Sequence, residues 1–326
     1  MSIGAFARAT DTGRKRRHNE DSYVVAPPLF AVADGMGGAQ AGEVASKLAA
    51  AALEETDPGA LAGPERLTQL IQEANRRVYE RATADPSTSG MGTTMTVALV
   101  EGAEVTIGHV GDSRAYLVRN GALEQLTEDH SLVNELLKSG KLSREEAETH
   151  PQRSVITRAV GTDPDVDVDA FVVTADVGDI FLLCSDGLTD MVRDEDILEL
   201  VERHHEDLDR LTKSLVAAAN RGGGEDNITV VAFAIAPGED ETVRMRLPGE
   251  PDEDTLESLP VPAPSVDTMV VPPDRVQDVF VEADSAEAAE LTRREPLDRG
   301  ARIRLVLTML ALLAVAAVLL VWGLLR

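Results

Sequence analysis

Three short apolar runs in the first two thirds of the chain each end at an acidic turn, and this pattern constrains the fold most strongly. The runs are residues 29–33, 105–110 and Ile180–Cys184, and the acids that follow them are Asp34, Asp112 and Asp186. Each run has the length and the composition of one buried β-strand. Asp-Gly alone is a common turn signal. An aspartate just beyond a strand nevertheless places a carboxylate at a sheet edge, so the fold must contain several acidic sheet edges.

Residues 1–237 are predicted to form one α+β domain with antiparallel sheets. Strands are predicted at residues 2–9, 29–33, 93–100, 105–110, 114–118, Ile180–Cys184 and 228–235. Helices are predicted at residues 42–55, 65–81, 131–137 and 195–204, and a further helix ends near residue 221. Asn120-Gly121, between two of the strands, is a hairpin signal. Strands that mostly follow one another, with helices grouped between them, favour the α+β class.

The composition changes at residue 238. Residues 238–290 contain 15 acidic residues against 3 arginines, a net charge of −12, together with 7 of the 16 prolines. A segment of this kind cannot bury enough apolar surface to offset the entropy lost on ordering. Residues 238–304 are therefore predicted to be a disordered acidic tether with a basic end. A plain spacer and a docking or regulatory segment both remain open.

Residues 305–325 are 21 positions without one charged side chain. A helix of that length spans roughly 31 Å at ~1.5 Å per residue, which is about the thickness of a bilayer core. A buried helix of a soluble domain is the alternative. Five arginines lie at residues 293–304, and only Arg326 follows the apolar run. The positive-inside rule then predicts a single-pass protein of the cytoplasmic membrane with residues 1–237 in the cytoplasm.

Five short polar motifs are candidates for chemistry. They are Arg-Arg-His-Asn-Glu-Asp at 16–21, Asp-Gly-Met-Gly-Gly at 34–38, Gly-Asp-Ser-Arg at 111–114, Ser-Asp-Gly-Leu-Thr-Asp at 185–190 and Gly-Glu-Asp-Asn at 224–227. If the fold brings these acids together, carboxylates ~4 Å apart repel by roughly 4 kcal/mol per pair at an effective dielectric near 20. Divalent cations remove that cost, and ligands that are all oxygen suit Mg²⁺ or Mn²⁺ better than zinc.

In this order and spacing, the five motifs resemble the type-2C family of metal-dependent serine/threonine protein phosphatases, and its bacterial branch in particular. The resemblance covers about residues 4–236. It implies a central antiparallel β-sandwich flanked by helices, with a two-metal centre at one end. It also implies hydrolysis of phosphoserine and phosphothreonine monoesters by a metal-activated water. Two Mn²⁺ or Mg²⁺ ions per subunit are expected, and many bacterial members hold a third.

The resemblance assigns the central ligands first. Asp34 is expected to bridge both metals, and the backbone carbonyl of Gly35 is expected to be a further ligand. Asp186 and Asp226 are expected to bind one of the two metals.

The remaining acids are assigned to the surroundings of that pair. Glu20 is expected on the side of the other metal, acting mainly through water, and Asp21 is expected to orient this group. Asp112 matches the carboxylate that holds the third metal together with Asp186. Asp190 is a further candidate for that third site.

Two more residues complete the expected site, and two positions depart from the family. Arg16 matches the phosphate-binding arginine, and Asn227 is expected either to orient Asp226 through its amide or to cap the turn. Animal members carry histidine where this chain has Met36, and many bacterial members carry histidine where it has Ala39. The proton donor to the leaving group is therefore expected to be a metal-bound water.

Other reactive side chains have simpler interpretations. His109 is expected in the core, with a catalytic role as the alternative, and His130 is expected at a helix end. Cys184 is not expected to be a phosphatase nucleophile, because such an enzyme needs arginine six residues later and Asp190 stands there. Residues 139–165 are expected to form a mobile flap beside the site, or a plain surface insertion.

The leading function is therefore a phosphatase for proteins phosphorylated on serine or threonine, opposing a cognate bacterial kinase. A silent membrane scaffold that binds phosphoproteins and a phosphatase for a small metabolite are the alternatives. The net charge of −26 argues against binding to nucleic acid. A monomer is expected.

Overall fold

Two antiparallel sheets pack face to face at the centre of the protein. The structure is a computed structural model that describes residues 1–37, 41–56, 59–143, 146–147 and 150–238. The first sheet contains, in spatial order, β1 (Ser2–Asp11), β11 (Ile228–Ala236), β10 (Ile180–Cys184), β7 (Arg114–Arg119) and β8 (Ala122–Gln125). The second contains β2 (Asp21–Ala26), β3 (Leu29–Met36), β5 (Met95–Glu101), β6 (Glu104–Val110) and β9 (Asp169–Thr174), with the short β4 (Gly92–Thr93) paired to β3.

Apolar side chains from both sheets fill the space between them. Three phenylalanines stack at the centre: the ring centroids of Phe30 and Phe233 are 4.3 Å apart, and those of Phe181 and Phe233 are 5.1 Å apart. All three are fully buried, as are Val32 and Ile107 beside them. Because alternate residues of a strand face opposite sides, each sheet sends a second set of apolar side chains outward, where helices must cover it.

Helices cover the outer face of each sheet. The second sheet is covered by α1 (Ala41–Glu55) and α2 (Gly63–Ala84), and the first sheet by α5 (Asp194–His204) and α6 (Leu208–Gly222). Two short helices, α3 (Leu132–Lys138) and α4 (Asp186–Thr189), and one 3₁₀ turn (Pro86–Thr88) lie in the connections. The predicted α+β class, with antiparallel sheets flanked by helices, is confirmed.

The strands differ from the prediction where tertiary pairing decides them. Strand β3 continues to Met36 instead of ending at residue 33, because Asp34 pairs with Asp21 and Gly35 pairs with Thr93. The predicted strand over 93–100 is interrupted at Thr94. Strands β2, β8 and β9 were not predicted. The hairpin signal is confirmed, since Asn120 and Gly121 have φ values of 52° and 73° between β7 and β8.

The predicted tether beyond Gly238 and the predicted membrane helix at residues 305–325 lie outside the described residues. Within the described ranges, no helix combines the length and the apolarity needed to cross a bilayer.

Candidate functional site

Four of the predicted aspartates meet at one end of the sandwich. Asp34 lies near the carboxyl end of β3, Asp112 lies two residues after β6, Asp186 lies two residues after β10, and Asp226 lies two residues before β11. Their mutual influence shows that they are close, because the charges of Asp21, Asp186, Asp112 and Asp226 all raise the pKa of Asp34. The fold therefore gathers acids that are up to 205 residues apart in sequence, from Asp21 to Asp226.

Burial makes it energetically unfavourable to ionise the carboxyl groups at this end of the sandwich. Loss of hydration is the largest cause that raises the pKa of Asp34 and of Asp186 well above the usual range, and repulsion between the acids adds to it. For the same leading reason, the pKa of Asp21 is raised to about 6 and that of Asp112 to about 7. Such a group of carboxylates needs positive charge in order to be ionised at neutral pH.

Three carboxylate oxygens of this group are buried and have no hydrogen-bond partner. They are Oδ1 of Asp21, Oδ1 of Asp112 and Oδ1 of Asp186. A buried polar atom without a partner costs free energy unless a ligand satisfies it. The donor set is all oxygen, which is the chemistry of Mg²⁺ and Mn²⁺ sites. The donor atoms present therefore have the chemistry that divalent cations require.

Two glycines let Glu20 approach the Gly35 carbonyl. A Cβ on Gly42, in the first turn of α1, would lie 2.5 Å from Glu20 Oε2 and 2.7 Å from the Gly35 carbonyl oxygen. A Cβ on Gly35 would lie 2.1 Å from the Gly42 carbonyl oxygen. The Ser46 hydroxyl donates to the Glu20 carbonyl over 2.5 Å. The Glu20 carboxylate and the Gly35 carbonyl, both predicted on the metal centre, thus share one small space.

Asp21 is held from the first sheet by Ser185. The Ser185 hydroxyl donates to Asp21 Oδ2 over 2.9 Å and accepts from the backbone N–H of Thr229 over 2.9 Å. This contact engages Oδ2 of Asp21 and leaves its buried Oδ1 without a hydrogen-bond partner. Ser185 belongs to one of the five motifs, but its role was not predicted, because it depends on the approach of two different sheets.

Arg16 lies at the exposed side of the acids. Its Nη2 donates to Asp226 Oδ2 over 2.6 Å, and 52% of its side chain is exposed. The other Asp226 oxygen accepts from the backbone N–H of Asn227 over 2.8 Å. An exposed guanidinium that reaches the carboxylate group is placed to meet a charged ligand arriving from solvent.

Asn227 does not contact Asp226 through its side-chain amide, which was the first of its two expected roles. Its contact to Asp226 comes from the backbone, whereas its side-chain amide donates to the carbonyls of Thr12 and His18 over 2.9 Å each. Its Oδ1 accepts from the Glu20 backbone N–H over 2.8 Å. The side chain therefore fixes the loop that carries Arg16 and Glu20.

The rim of the site is formed in part by the segment predicted to be a flap. Arg153 Nε lies 3.9 Å from Asp190 Oδ2, and its Nη2 lies 4.0 Å from Glu225 Oε2. Asp190, at the end of α4, keeps 39% of its side chain exposed, and partial loss of hydration is the largest cause that raises the pKa of its carboxyl. His109 is fully buried, and Cys184 is buried within β10, as expected.

As they stand, the side chains do not form a complete ligand set. Within the described ranges, no group of three or more His, Cys, Asp or Glu side chains is arranged so that it could hold a metal ion. Both oxygens of Asp226 are engaged, by Arg16 and by Asn227, and the predicted Gly35 ligand is a backbone carbonyl rather than a side chain.

A family model described as protein phosphatase 2C matches residues 13–221. The chain belongs to this family. It is 43% identical over 233 residues to the serine/threonine phosphatase stp of Listeria monocytogenes, covering 68% of this chain and 92% of that protein. It is 42% identical over 228 residues to the serine/threonine protein phosphatase PstP of Mycobacterium tuberculosis, covering 69% of this chain and 44% of that protein.

Solved structures of the family agree with the fold. The chain superposes on a crystal structure of M. tuberculosis PstP with a TM-score of 0.68 and 40% identity, covering 72% of this chain and 100% of that one. A structure of the PstP catalytic domain in complex with 2 manganese ions gives a TM-score of 0.66 and 38% identity, covering 72% of this chain and 99% of that one. This protein phosphatase 2C is therefore a metal-dependent protein serine/threonine phosphatase that uses divalent cations.

Proposed function

We propose that this phosphatase works with two Mn²⁺ or Mg²⁺ ions held at the acidic end of the sandwich, with room for a third. The observation that carries the proposal is the set of three buried, unpartnered oxygens on Asp21, Asp112 and Asp186. Burial raises the pKa of Asp34, and the charges of these three aspartates raise it further. When bound, the cations supply the positive charge that phosphate-monoester hydrolysis requires and make a water more acidic.

Asp34, with the Gly35 carbonyl, would hold both cations, and Asp186 and Asp226 would hold one of them. Asp34 and Gly35 lie near the end of β3, Asp186 just after β10 and Asp226 just before β11. Their approach is supported by the pKa of Asp186, which burial raises first and the charges of Asp112, Asp190 and Asp226 raise further.

The other acids support or extend this pair. Glu20 lies against the Gly35 carbonyl, and Asp21 pairs with Asp34 across β2 and β3. Asp112 and Asp190 both raise the pKa of Asp186, so they flank it and are placed to complete a third cation position with it.

Arg16 is the group that binds the substrate phosphate. Its guanidinium already forms an ion pair with Asp226 at the exposed side of the site. A phosphate dianion offers it a bidentate partner of higher charge than one carboxylate oxygen. Arg16 can then hold the phosphate while the leaving serine or threonine side chain faces solvent.

We further propose the cellular setting that the remainder of the sequence suggests. The uncharged run at residues 305–325, preceded by five arginines at 293–304, anchors the chain in the cytoplasmic membrane as a single pass. Residues 1–237 then form a monomeric catalytic domain in the cytoplasm, joined to the anchor by an acidic tether. Its substrates are phosphorylated cytoplasmic proteins, or cytoplasmic parts of membrane proteins, and a cognate serine/threonine kinase opposes it.

A metal-dependence assay tests the catalytic part of this proposal. The full chain, stripped with EDTA and dialysed, should release phosphate from phosphoserine and phosphothreonine peptides only after Mn²⁺ or Mg²⁺ is restored. Elemental analysis and calorimetric titration of the cation should give at least two sites per chain. Full activity in the chelator, with no metal bound, would refute the two-cation centre.

Truncation and protease access test the proposed setting. A chain that ends at about residue 240 should keep its activity on peptides but leave the membrane fraction, since every predicted site residue precedes Ile228. In intact spheroplasts, added protease should leave the catalytic domain of the full chain undigested. Digestion from outside would overturn both the topology and the proposed cytoplasmic substrates.

A further inference from the structure

Thr94 lies between β4 and β5, at the interruption of the predicted strand over 93–100, and it holds the backbone of Asp34. The Thr94 N–H donates to the Asp34 carbonyl over 2.8 Å. The Asp34 N–H donates to Thr94 Oγ1 over 2.9 Å. Thr93 adds a third bond, from its hydroxyl to the same Asp34 carbonyl, at 2.8 Å. Both backbone groups of Asp34 are therefore fixed by one neighbouring residue.

The same Thr94 hydroxyl also reaches the turn that carries Asp112. Its Oγ1 lies 2.7 Å from Ser113 Oγ, and both side chains are buried. The turn packs closely on Thr94, because a Cβ on Gly111 would lie 2.6 Å from the Thr94 Cβ. Gly111 adopts φ +112°, which only glycine takes at low cost. The residues on both sides of Asp112 thus meet Thr94.

The rest of the Asp112 turn is anchored elsewhere. His130 donates its backbone N–H to the Gly111 carbonyl over 2.7 Å and accepts the Gly111 N–H at its Nδ1 over 3.0 Å. Thr96 Oγ1 donates to the Ser113 carbonyl over 3.0 Å. Among the described residues, Thr94 alone has a side chain that hydrogen-bonds both to Asp34 and to the turn at residues 111–113.

We propose that Thr94 is a positioning residue that ties Asp34 to the Asp112 turn and so fixes the two carboxylates relative to each other. The inference rests on the proposed function, in which Asp34 and Asp112 are cation ligands. Ligands of a metal site must be held within about 0.5 Å of their working positions. Contacts that hold such ligands typically affect metal affinity by about 10–100-fold.

An isosteric pair of substitutions tests the role. Thr94→Val keeps the shape of threonine but leaves the Asp34 N–H without an acceptor and Ser113 Oγ without its partner. Thr94→Ser keeps the hydroxyl and serves as the matched control. In calorimetric titrations of the EDTA-stripped full chain with Mn²⁺, Thr94→Val should bind the cation about 10–100-fold more weakly, whereas Thr94→Ser should stay within about threefold of the parent, because its hydroxyl can still make both bonds.

Ser113→Ala tests the hydrogen bond between Thr94 and Ser113 separately from the one between Thr94 and Asp34. This variant removes the bond to Thr94 and leaves the bond between Thr94 and Asp34 in place, so it should weaken Mn²⁺ binding less than Thr94→Val does. Both changes break the same hydrogen bond, so their effects on Mn²⁺ affinity should not add. Adding Ser113→Ala to Thr94→Val should lower the affinity clearly less than Ser113→Ala does in the parent. At saturating Mn²⁺, KM of these variants for a phosphothreonine peptide should stay within about twofold of the parental KM, since no Thr94 contact involves the Arg16 phosphate site.

The outcomes separate the two proposals. Parental Mn²⁺ affinity in folded Thr94→Val, or equal weakening in Thr94→Ser and Thr94→Val, would overturn the role of Thr94. Circular dichroism and thermal unfolding in EDTA establish which variants fold. If Thr94→Val does not fold, parental Mn²⁺ affinity in Ser113→Ala overturns the role instead. A parent chain that binds no Mn²⁺ and is active in EDTA would refute the cation centre itself.

Discussion

Strand β10 has an aspartate near each end, and the two have opposite surroundings. Asp179, just before the strand, is only 2% exposed and accepts two hydrogen bonds from Arg119, at 2.9 and 2.5 Å. The backbone N–H of Asp176 donates to it as well, over 2.7 Å. Asp186, just after the strand, keeps a buried Oδ1 without any partner.

This difference distinguishes a structural carboxylate from a ligand. Within the described fold, Arg119 compensates the charge of Asp179. Asp179 therefore stabilises one end of the sandwich, and its oxygens are already engaged by hydrogen bonds. The pKa of Asp186 is raised well above the usual range, first by burial and then by the charges of Asp112, Asp190 and Asp226. A fold tolerates such a group only where a ligand supplies the missing charge, and this requirement links the site end to cation binding.

The largest expected effect is on catalysis and comes from Asp186, the aspartate with an unpartnered oxygen. Asp186→Asn replaces a charged ligand by a neutral amide, so kcat/KM on a phosphothreonine peptide should fall by about 10³-fold, roughly 4 kcal/mol. Steady-state assays over a range of Mn²⁺ concentrations measure the change, and Asp179→Asn is the matched control at the other end. Parental kinetics in Asp186→Asn would remove the distinction between the two aspartates.

The pH dependence of stability should also distinguish the ends. The folded pKa values of Asp21 and Asp112 are raised to about 6 and about 7, above the unfolded value of 3.8. Between pH 4 and 7 the folded state then binds more protons than the unfolded state, so the metal-free protein should lose stability as the pH rises. The loss is on the order of 3 kcal/mol for each of the two groups, and denaturant unfolding in EDTA measures their combined effect.

A variant and a ligand serve as controls for this pH effect. Asp112→Asn should flatten the slope, because an amide does not titrate, and added Mn²⁺ should flatten it by binding the ionised form. Stability that rises through the same pH window in EDTA would contradict the buried, uncompensated state of these acids.

Substitution of Asp179, the aspartate paired with Arg119, should lower stability and leave catalysis nearly unchanged. Asp179→Asn removes the buried carboxylate that pairs with Arg119 and leaves the exposed Asp176 as its remaining charged partner, so the free energy of unfolding should fall by about 2–3 kcal/mol. Peptide hydrolysis at saturating Mn²⁺ should remain within about twofold of the parent. Chemical denaturation together with steady-state kinetics tests both statements. A large kinetic loss in a folded Asp179→Asn protein would show that the two ends are coupled.

The smallest effect concerns the two arginines that pair with these ends. Arg16→Ala should raise KM for phosphopeptides by about tenfold, the typical effect of removing one charge-assisted hydrogen bond. The change in kcat should be smaller, since Arg16 holds the phosphate in the ground state as well as in the transition state. Arg119→Ala serves as the comparison and should leave KM unchanged. Equal KM values in both variants would remove Arg16 from the phosphate site.

Much of the fold could be predicted from sequence because its signals are local. The helix over 42–55 is α1, which begins one residue earlier, and the hairpin at Asn120-Gly121 follows from two residues that tolerate positive φ. Strand β9 was missed, because Asp169–Thr174 becomes a strand by pairing with β6, 59 residues or more earlier in the chain. Strand β3 was placed too short for the same reason, since its last residues are set by β2 and β4.

The candidate site divides in the same way. The five motifs supplied the acids, because ligand chemistry depends on residue type, and an acid after an apolar run is visible in sequence. The residues that hold these acids were not visible. Ser185 bonds to Asp21 across 164 positions, and Thr94 bonds to Asp34 across 60. Nothing local to Thr94 marks it, since it lies inside an ordinary run of strand-forming residues.

The sequence by itself therefore determined the chemistry of this protein: an α+β domain, an oxygen-rich set of acids and one arginine near them. Only the tertiary structure decided which aspartate is compensated and which is left for a ligand. Asp179 and Asp186 have similar local settings, each beside the same apolar strand. Their surroundings differ because Arg119 reaches Asp179 from β7, whereas Asp34, Asp112 and Asp226 approach Asp186 from distant elements. Electrostatic free energy depends on distance in space rather than along the chain.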